Sequence, residues 1–260
     1  MDKLLDFTGK TVLITGAAQG FGELLARELA ARGAHLVLGD LKTDALMAVA
    51  SELKAGGTKV VALHCDVSNE AHCQALVDGA LETFGQLDIA VNNAGIAHTL
   101  GPIETITNDM FDQQWQVNVM GVQFGLRHQI TAMRKQKHGV ILNVASMAGL
   151  GGTPRGAAYS AAKHAVVGLT KTAAVEVARD NIRVNAICPF FTATPMVTKS
   201  DLVSHAGSLE QAKDALSRGA PMRRIAEPEE IVNVMLMLLS PGNTYMTGQA
   251  IAVDGGASAI

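Results

Sequence analysis

Tyr159 and Lys163 stand four residues apart in the run Tyr159-Ser160-Ala161-Ala162-Lys163, with Ser146 upstream. On a helix, positions i and i+4 share one face, so the phenol and the ammonium point into one site. A free tyrosine ionises near pH ~10, too high for easy proton exchange at neutral pH. A fixed positive charge beside it stabilises the phenolate and lowers that value. A hydroxyl such as Ser146 would hold a carbonyl oxygen next to the tyrosine. The group reads as a proton relay for interconverting an alcohol and a ketone. Taken alone, the five residues could equally be an ordinary Tyr and Lys at the start of a surface helix, so the surrounding elements must decide.

The first such element lies near the N-terminus. A β-rich apolar stretch, Thr11–Thr15, meets glycines at Gly16, Gly20 and Gly22, and an alanine- and leucine-rich helical pattern follows from Phe21. Strand, glycine turn and helix form a dinucleotide-binding arrangement, in which bare backbone approaches a pyrophosphate and a helix N-terminus offers free N–H groups to it. The spacing is G-x-x-x-G-x-G rather than G-x-G-x-x-G, and glycines also serve ordinary turns. The next strand pattern, His35–Asp40, ends in an acid placed to accept hydrogen bonds from an adenosine ribose. That carboxylate would repel a 2′-phosphate. Gln19 and Leu41 supply no compensating cation, although Lys42 is close. NAD(H) is expected over NADP.

These features together resemble the short-chain dehydrogenase/reductase family, over nearly the whole chain. The family's TGxxxGxG turn matches Thr15, Gly16, Gly20 and Gly22, and its NNAG motif matches Asn92, Asn93, Ala94 and Gly95. Its catalytic Asn, Ser, Tyr and Lys match Asn118, Ser146, Tyr159 and Lys163. Pro189, Thr194, Pro195 and Met196 match the segment after the sixth strand, and Val253, Asp254, Gly255 and Gly256 match the C-terminal signature. The resemblance implies cofactor contacts from Gly16, Gln19, Gly20, Phe21, Gly22, Asp40, Leu41, Asp66, Val67, Asn93, Ala94, Gly95, Tyr159, Lys163, Pro189, Thr192 and Thr194. Asp66 and Val67 would meet the adenine ring. Tyr159 would be the general acid or base. Lys163 would lower its pKa and bind the nicotinamide ribose, Ser146 would hold the substrate oxygen, and Asn118 would hold a water linking Lys163 to solvent, the alternative being a helix-interior polar residue satisfied by backbone contacts. One position departs from the pattern. The family usually has Pro-Gly where this chain has Pro189-Phe190, followed by Phe191. The two rings are expected either to wall the cofactor's reactive end or to pack into the core.

Composition agrees. A chain of 260 residues can bury one large core. Hydrophobic residues make up 48%, but polar breaks interrupt them before any stretch could span a bilayer, and residues 1–10 lack a signal peptide's apolar region. A cytoplasmic protein without membrane association is expected. A formal net charge of −3 without a long basic run argues against nucleic acid. Cys65, Cys73 and Cys188 are odd in number and lack CxxC spacing, so buried thiols are expected rather than disulfides. No H-x-x-x-H pair occurs among the eight histidines and no metal site is expected. His98, just after the Asn92–Gly95 run, is expected to face solvent, with a place lining the substrate mouth as the alternative.

Strand patterns at 12–15, 36–39, 60–65, 89–92, 139–144, 184–187 and 250–253 alternate with helical ones, including 68–84, 109–135 and 159–179. This predicts one α/β domain over 1–260, a Rossmann-type doubly wound parallel sheet of seven strands with helices on both faces. The stretch 192–226 breaks the rhythm with one short helical pattern at 209–217, and reads as a lid over the substrate, with an ordinary surface excursion as the alternative. Leu100, Met147, Leu150, Phe190, Phe191 and Met196 would line the pocket, favouring an apolar secondary alcohol or ketone. A 3-oxoacyl-carrier-protein reductase and a non-catalytic NAD-binding sensor are the rival readings. The resemblance also implies a homotetramer, paired through the long helices that flank the fifth strand.

Overall fold

The structure, a computed structural model, describes residues 3–199 and 206–260. Seven parallel strands form one sheet: β1 Thr11–Thr15, β2 His35–Asp40, β3 Val60–His64, β4 Ile89–Asn92, β5 Gly139–Val144, β6 Ile182–Pro189 and β7 Ala250–Val253. Their spatial order is β3-β2-β1-β4-β5-β6-β7. The main helices are α1 Gly20–Ala31, α2 Thr43–Ala55, α3 Glu70–Phe84, α4 Asn108–Trp115, α5 Gly121–Gln136 and α6 Ala157–Val177, with Leu209–Ser217 and Pro228–Leu239 further on.

Strand side chains alternate between the faces. Val12 and Ile14 join Leu25 and Leu29 of α1 and Met235 of the last helix in one cluster. Leu13 points the other way, with Leu76, Met133 and Val166 of α3, α5 and α6. Both faces are covered, which is why β1, β4 and β6 are buried at every position. Each large aliphatic side chain taken fully out of water contributes about 1.5–3 kcal/mol. β1 pairs with β2 on one side and β4 on the other. The chain reverses its direction of winding there, and the crevice beyond the strands' C-terminal ends is where such sheets take ligands.

The structure corrects the helix expected over 109–135. α4 stops at Trp115, a π-helical turn occupies Gln116–Met120, and α5 follows. The Gly121 N–H donates to the Gln116 carbonyl, one residue further back than in an α-helix. One widened turn scarcely disturbs an apolar periodicity, so the pattern cannot reveal it. α3 begins at Glu70 rather than 68, because Asp66 draws Ser68 into a turn and Asn69 caps the helix through the Ala71 N–H. α6 begins at Ala157 and gives way at its end to a 3₁₀ turn, Ala178–Asp180.

The excursion at 192–226 is tied at its base. Thr192 pairs with Ala226, the Ala226 N–H donates to Phe191 O at 3.0 Å, and the Ala193 N–H donates to Ala226 O at 2.9 Å. The helix Leu209–Ser217 lies where the pattern predicts it, capped by Ser208.

Candidate active site

The glycine turn is held from below by the segment after β4. Thr15 Oγ1 accepts from the Asn93 and Ala94 N–H groups, each at 3.1 Å. Asn93 Nδ2 donates to Thr15 O at 2.9 Å and Gly16 O at 3.0 Å. A Cβ on Gly16 would sit 2.9 Å from Ala94 Cα, and one on Gly22 would sit 2.2 Å from Gly16 O, so neither position admits a side chain. Gly20 has a positive φ of 60°, and its absent side chain leaves bare backbone facing Thr194 and Pro195, whose atoms a Cβ would approach to 3.9 and 3.8 Å. α1 starts here. Its N-cap, Gln19, makes no side-chain capping bond, so the first-turn N–H groups of Phe21 and Gly22 are free for an anion.

Asp40 ends β2 and is nearly buried. Oδ2 accepts from the Ala18 N–H at 2.9 Å and Oδ1 from the Lys42 N–H at 2.8 Å. These bonds lock the carboxylate beside the glycine turn. Leu41 projects into solvent, while Lys42 Nζ donates to Gln19 Oε1 at 3.0 Å. Asp66 accepts from the Ser68 hydroxyl and N–H, which hold its carboxyl below the usual range against the opposing effect of burial. Val67 is buried against Gly121, where a Cβ would come within 2.8 Å of it.

Ser146, Tyr159 and Lys163 meet beyond the end of β5. Ser146 caps the 3₁₀ turn Met147–Gly149, accepting from the Ala148 N–H at 3.1 Å, and its hydroxyl is near enough to the Tyr159 phenol to favour the ionised form. Lys163 is buried; its Nζ donates to Val144 O at 2.9 Å and lies 5.5 Å from the centroid of the Tyr159 ring. Desolvation lowers its ammonium to about 8. Tyr159 corrects the expectation of a lowered phenol. Desolvation raises it, and the Ser146 hydrogen bond offsets only part of that rise. Desolvation is the largest influence on the phenol, and the Lys163 ammonium, itself disfavoured by burial, does not overcome it.

Asn118 sits in the π-helical turn, 1% exposed. Its Oδ1 accepts from the Ile96 N–H and its Nδ2 donates to Ile96 O, both at 2.9 Å. A Cβ on Gly95 would lie 2.9 Å from Asn118 Oδ1 and 3.5 Å from Lys163 Nζ, so this glycine backbone stands between the two groups.

Pro189 ends β6, and Phe190 keeps a negative φ, so a glycine is not needed here. Phe190 and Phe191 meet edge to face at 4.9 Å. They line a cavity of about 90 Å³ with Met222, Glu230 and Val253; neither Ser146, Tyr159 nor Lys163 lines it. A Cβ on Gly219 would lie 2.8 Å from Phe190 Cζ. The Phe190 ring therefore packs against the returning half of the 192–226 excursion. Thr192 and Thr194 are buried, and Thr192 Oγ1 donates to Phe190 O at 3.0 Å. His98, expected to face solvent, is partly buried, with Nδ1 against Thr99 O at 2.7 Å and Nε2 enclosed.

Four supports were not legible from residue types. Ser160 Oγ donates to Ala148 O at 2.7 Å, tying the Ser146 turn to α6. Gly149 packs on the Lys163 backbone, where a Cβ would meet Lys163 O at 2.6 Å. The Val144 carbonyl anchors Lys163, and Gln114 Oε1 accepts from Asn118 Nδ2 at 2.8 Å. Only Gly149, in a glycine-rich run, carried any signal. The whole arrangement suits a dinucleotide. Gly20 offers bare backbone between the α1 N-terminus and Thr194, Asp40 offers a fixed carboxylate, and Ser146, Tyr159 and Lys163 meet beyond the C-terminal end of β5 in the same sheet.

The family described as enoyl-(acyl carrier protein) reductase matches residues 16–258. Oxidoreductase UcpA of Salmonella typhimurium is 39% identical over 252 residues, covering 96% of this chain and 95% of that one. Levodione reductase of Leifsonia aquatica is 38% identical over 97% of this chain and 96% of its own. A crystal structure of levodione reductase superposes with a TM-score of 0.93, covering 97% of this chain and 99% of that one. The NADH complex of a 3-ketoacyl-(acyl-carrier-protein) reductase from Brucella melitensis, 36% identical, gives 0.87 over 97% of this chain and 100% of that one. With the glycine turn, the sheet order and the Ser146–Tyr159–Lys163 group all in place, this chain belongs to the short-chain dehydrogenase/reductase family of oxidoreductases.

Proposed function

We propose that this protein interconverts a secondary alcohol and a ketone with NAD(H), using Tyr159 as the general acid for reduction and the general base for oxidation. The observation that carries the reading is the meeting of three side chains: the buried Tyr159 phenol, Ser146, whose hydroxyl favours its ionised form, and Lys163, whose Nζ lies over the Tyr159 ring 5.5 Å from its centroid. The bound nicotinamide would supply or accept the hydride. Gly16, Gly20, Phe21 and Gly22 would hold the pyrophosphate. Gln19, Asp40 and Leu41 would border the adenosine ribose, with Asp66 and Val67 at the adenine. Asn93, Ala94, Gly95, Pro189, Thr192 and Thr194 would border the nicotinamide end together with Tyr159 and Lys163. Ser146 orients the substrate oxygen toward the Tyr159 hydroxyl. Tyr159 gives its proton to that oxygen in reduction and takes one from it in oxidation. Lys163 stabilises the phenolate left behind, and Asn118 fixes the loop at Ile96 beside it.

NAD(H) is favoured over NADP because Asp40 would oppose a 2′-phosphate, and the related Brucella protein was solved with NADH. Lys42, held by Gln19, is the nearest counterweight. An apolar, alicyclic substrate is favoured. Leu100, Leu150 and Met196 present exposed apolar surface, and the Gly101 N–H to Arg155 O bond at 3.0 Å joins two of the segments that carry them. The name of the related levodione reductase points the same way. The segment 192–226, tied at its base, would act as the lid of a single catalytic domain spanning 1–260. A cytoplasmic setting suits three free buried thiols, and no helix among the described residues is long and apolar enough to cross a membrane. Exposed Phe111, Trp115 and Val175 on α4 and α6 suit pairing of copies into a tetramer.

NADH oxidation measured against cyclic diketones, steroidal ketones and β-keto esters tests the reading. Turnover of a cyclic diketone, lost in Tyr159→Phe, is expected. Folded, NADH-binding protein that turns over no ketone, or an active Tyr159→Phe variant, would overturn it.

A further inference from the structure

Four buried polar side chains form a continuous chain across the interior. Asn92 ends β4 and stands opposite Asn143 on β5. Asn92 Nδ2 donates to Asn143 Oδ1 at 2.8 Å and to Gln129 Oε1 of α5 at 3.1 Å. Gln129 Nε2 donates back to Asn92 Oδ1 at 2.8 Å, so the two amides pair reciprocally. Asn143 Nδ2 donates to Thr170 Oγ1 of α6 at 2.9 Å, and the Thr170 hydroxyl donates to Val166 O at 2.8 Å. All four side chains are 3% exposed or less. The last donation sets the direction of the rest: with its proton on Val166 O, Thr170 accepts from Asn143, which leaves Asn143 Oδ1 to accept from Asn92.

The sequence makes room for this chain. A Cβ on Gly125 would lie 2.5 Å from Asn92 Oδ1 and 3.0 Å from Gln129 Nε2. Glycine is unfavourable inside a helix, and here it admits the amide pair. Each of the four residues also sits on a segment that carries part of the site. Asn92 precedes Asn93, which holds the glycine turn. Asn143 lies three residues before Ser146, and Thr170 lies seven after Lys163, two turns along α6 on the same face. Gln129 belongs to α5, which follows directly on the π-helical turn holding Asn118. Apolar contacts between a helix and a sheet have no direction and tolerate small slides. A closed set of hydrogen bonds admits one arrangement.

We propose that Gln129 and Thr170 are positioning residues that lock α5 and α6 in register against β4 and β5, and so set how closely Tyr159 approaches Ser146. The inference rests on Tyr159 being the acid–base group. Gln129 bonds to Asn92, and Thr170 to Asn143 and Val166 O; none of these belongs to that group. Their effect is geometric. A slide of α6 along β5 would carry Tyr159 and Lys163 together, while Ser146 stays with the strand.

The chain has two tyrosines, and Tyr245 is fully exposed. In full-length Tyr245→Phe protein labelled with carbon-13 at tyrosine Cζ, a single resonance reports the Tyr159 phenol and its surroundings at neutral pH, with no substrate present. Ser146→Ala marks where that resonance falls once the serine hydroxyl is gone. Thr170→Val keeps the shape and removes the hydroxyl, and Gln129→Met removes the amide at nearly constant volume. Both are expected to move the resonance toward the Ser146→Ala position, and Thr170→Ser to leave it at the parent position. Turnover of a cyclic diketone should fall about tenfold or more in the first two, with NADH affinity nearly unchanged. An unmoved resonance in folded Thr170→Val and Gln129→Met overturns the proposal, however far either is destabilised. A shift that persists in Thr170→Ser assigns the effect to packing and overturns it too. A shift in only one of the first two variants overturns the role of the other residue. Should Gln129→Met not fold, Gln129→Glu, which loses the donor to Asn92 Oδ1, decides in its place. If Ser146→Ala itself leaves the resonance where it was, the serine does not act on the phenol and the proposal falls. Failure of the underlying reading is separate: it appears as ketone reduction surviving Tyr159→Phe, a result that does not bear on the resonance.

Discussion

Asn118 and Ile96 exchange two hydrogen bonds, Ile96 N–H to Asn118 Oδ1 and Asn118 Nδ2 to Ile96 O, both at 2.9 Å. A side-chain amide here pairs with a backbone amide as a neighbouring strand would. It thereby fastens the segment after β4 to the π-helical turn. Asn118→Ala would leave two partly buried backbone groups unpaired. A loss of about 1–3 kcal/mol is expected, measured by urea unfolding, together with a fall in turnover at unchanged substrate KM.

Tyr159→Phe removes the hydroxyl proposed as the proton donor and leaves the ring. Turnover is expected to fall by about 10²–10⁴-fold, the usual contribution of a positioned acid or base. NADH affinity, followed by fluorescence titration, should change little.

Lys163 gives two pH effects of opposite sign. Its ammonium is lowered to about 8 by burial, so the charge behind Tyr159 is present below that pH and lost above it. Ketone reduction should fall as pH rises through about 8, and Lys163→Met should abolish that step in the profile. For stability, the unfolded chain binds this proton more tightly than the folded one. Unfolding therefore takes up a proton between about pH 8 and the ordinary lysine value, and the contribution of Lys163 to stability rises across that window. Denaturant titrations of parent and Lys163→Met across the window check it.

Asp40→Ser removes the carboxylate expected to repel a 2′-phosphate, while Lys42 remains at hand on Gln19. NADP affinity should rise and NAD affinity fall, shifting the preference by about tenfold or more, a change of ~1.4 kcal/mol. An unchanged ratio in paired titrations would remove Asp40 as the discriminator.

Phe190→Gly, which restores the residue usual in the family, should destabilise the chain. Phe190 has no positive φ to relieve, and its ring fills the space beside Gly219. Half-buried as it is, a loss of about 2 kcal/mol is expected, read as a lower Tm.

The alternation of strands and helices, the glycine turn, the acid ending β2 and the Tyr159–Lys163 spacing were all legible along the chain. They are local signals: period-two and period-3.6 patterns, a turn that only glycine admits, and an i, i+4 pair on one helical face. What needed the tertiary structure was everything set by packing between distant segments. Burial, not the neighbouring ammonium, governs the Tyr159 phenol, because desolvation depends on what closes around the hydroxyl. The π-helical turn at Gln116–Met120 escaped because one extra residue barely alters a hydrophobic repeat. Phe190 turned toward Gly219 because the excursion folds back over it, a contact between residues 29 positions apart in the chain. Gln114 was indistinguishable from a solvated helix glutamine until its neighbours enclosed it. Residue types state which chemistry is possible; only the surrounding side chains set the dielectric, the partners and the direction in which each group points.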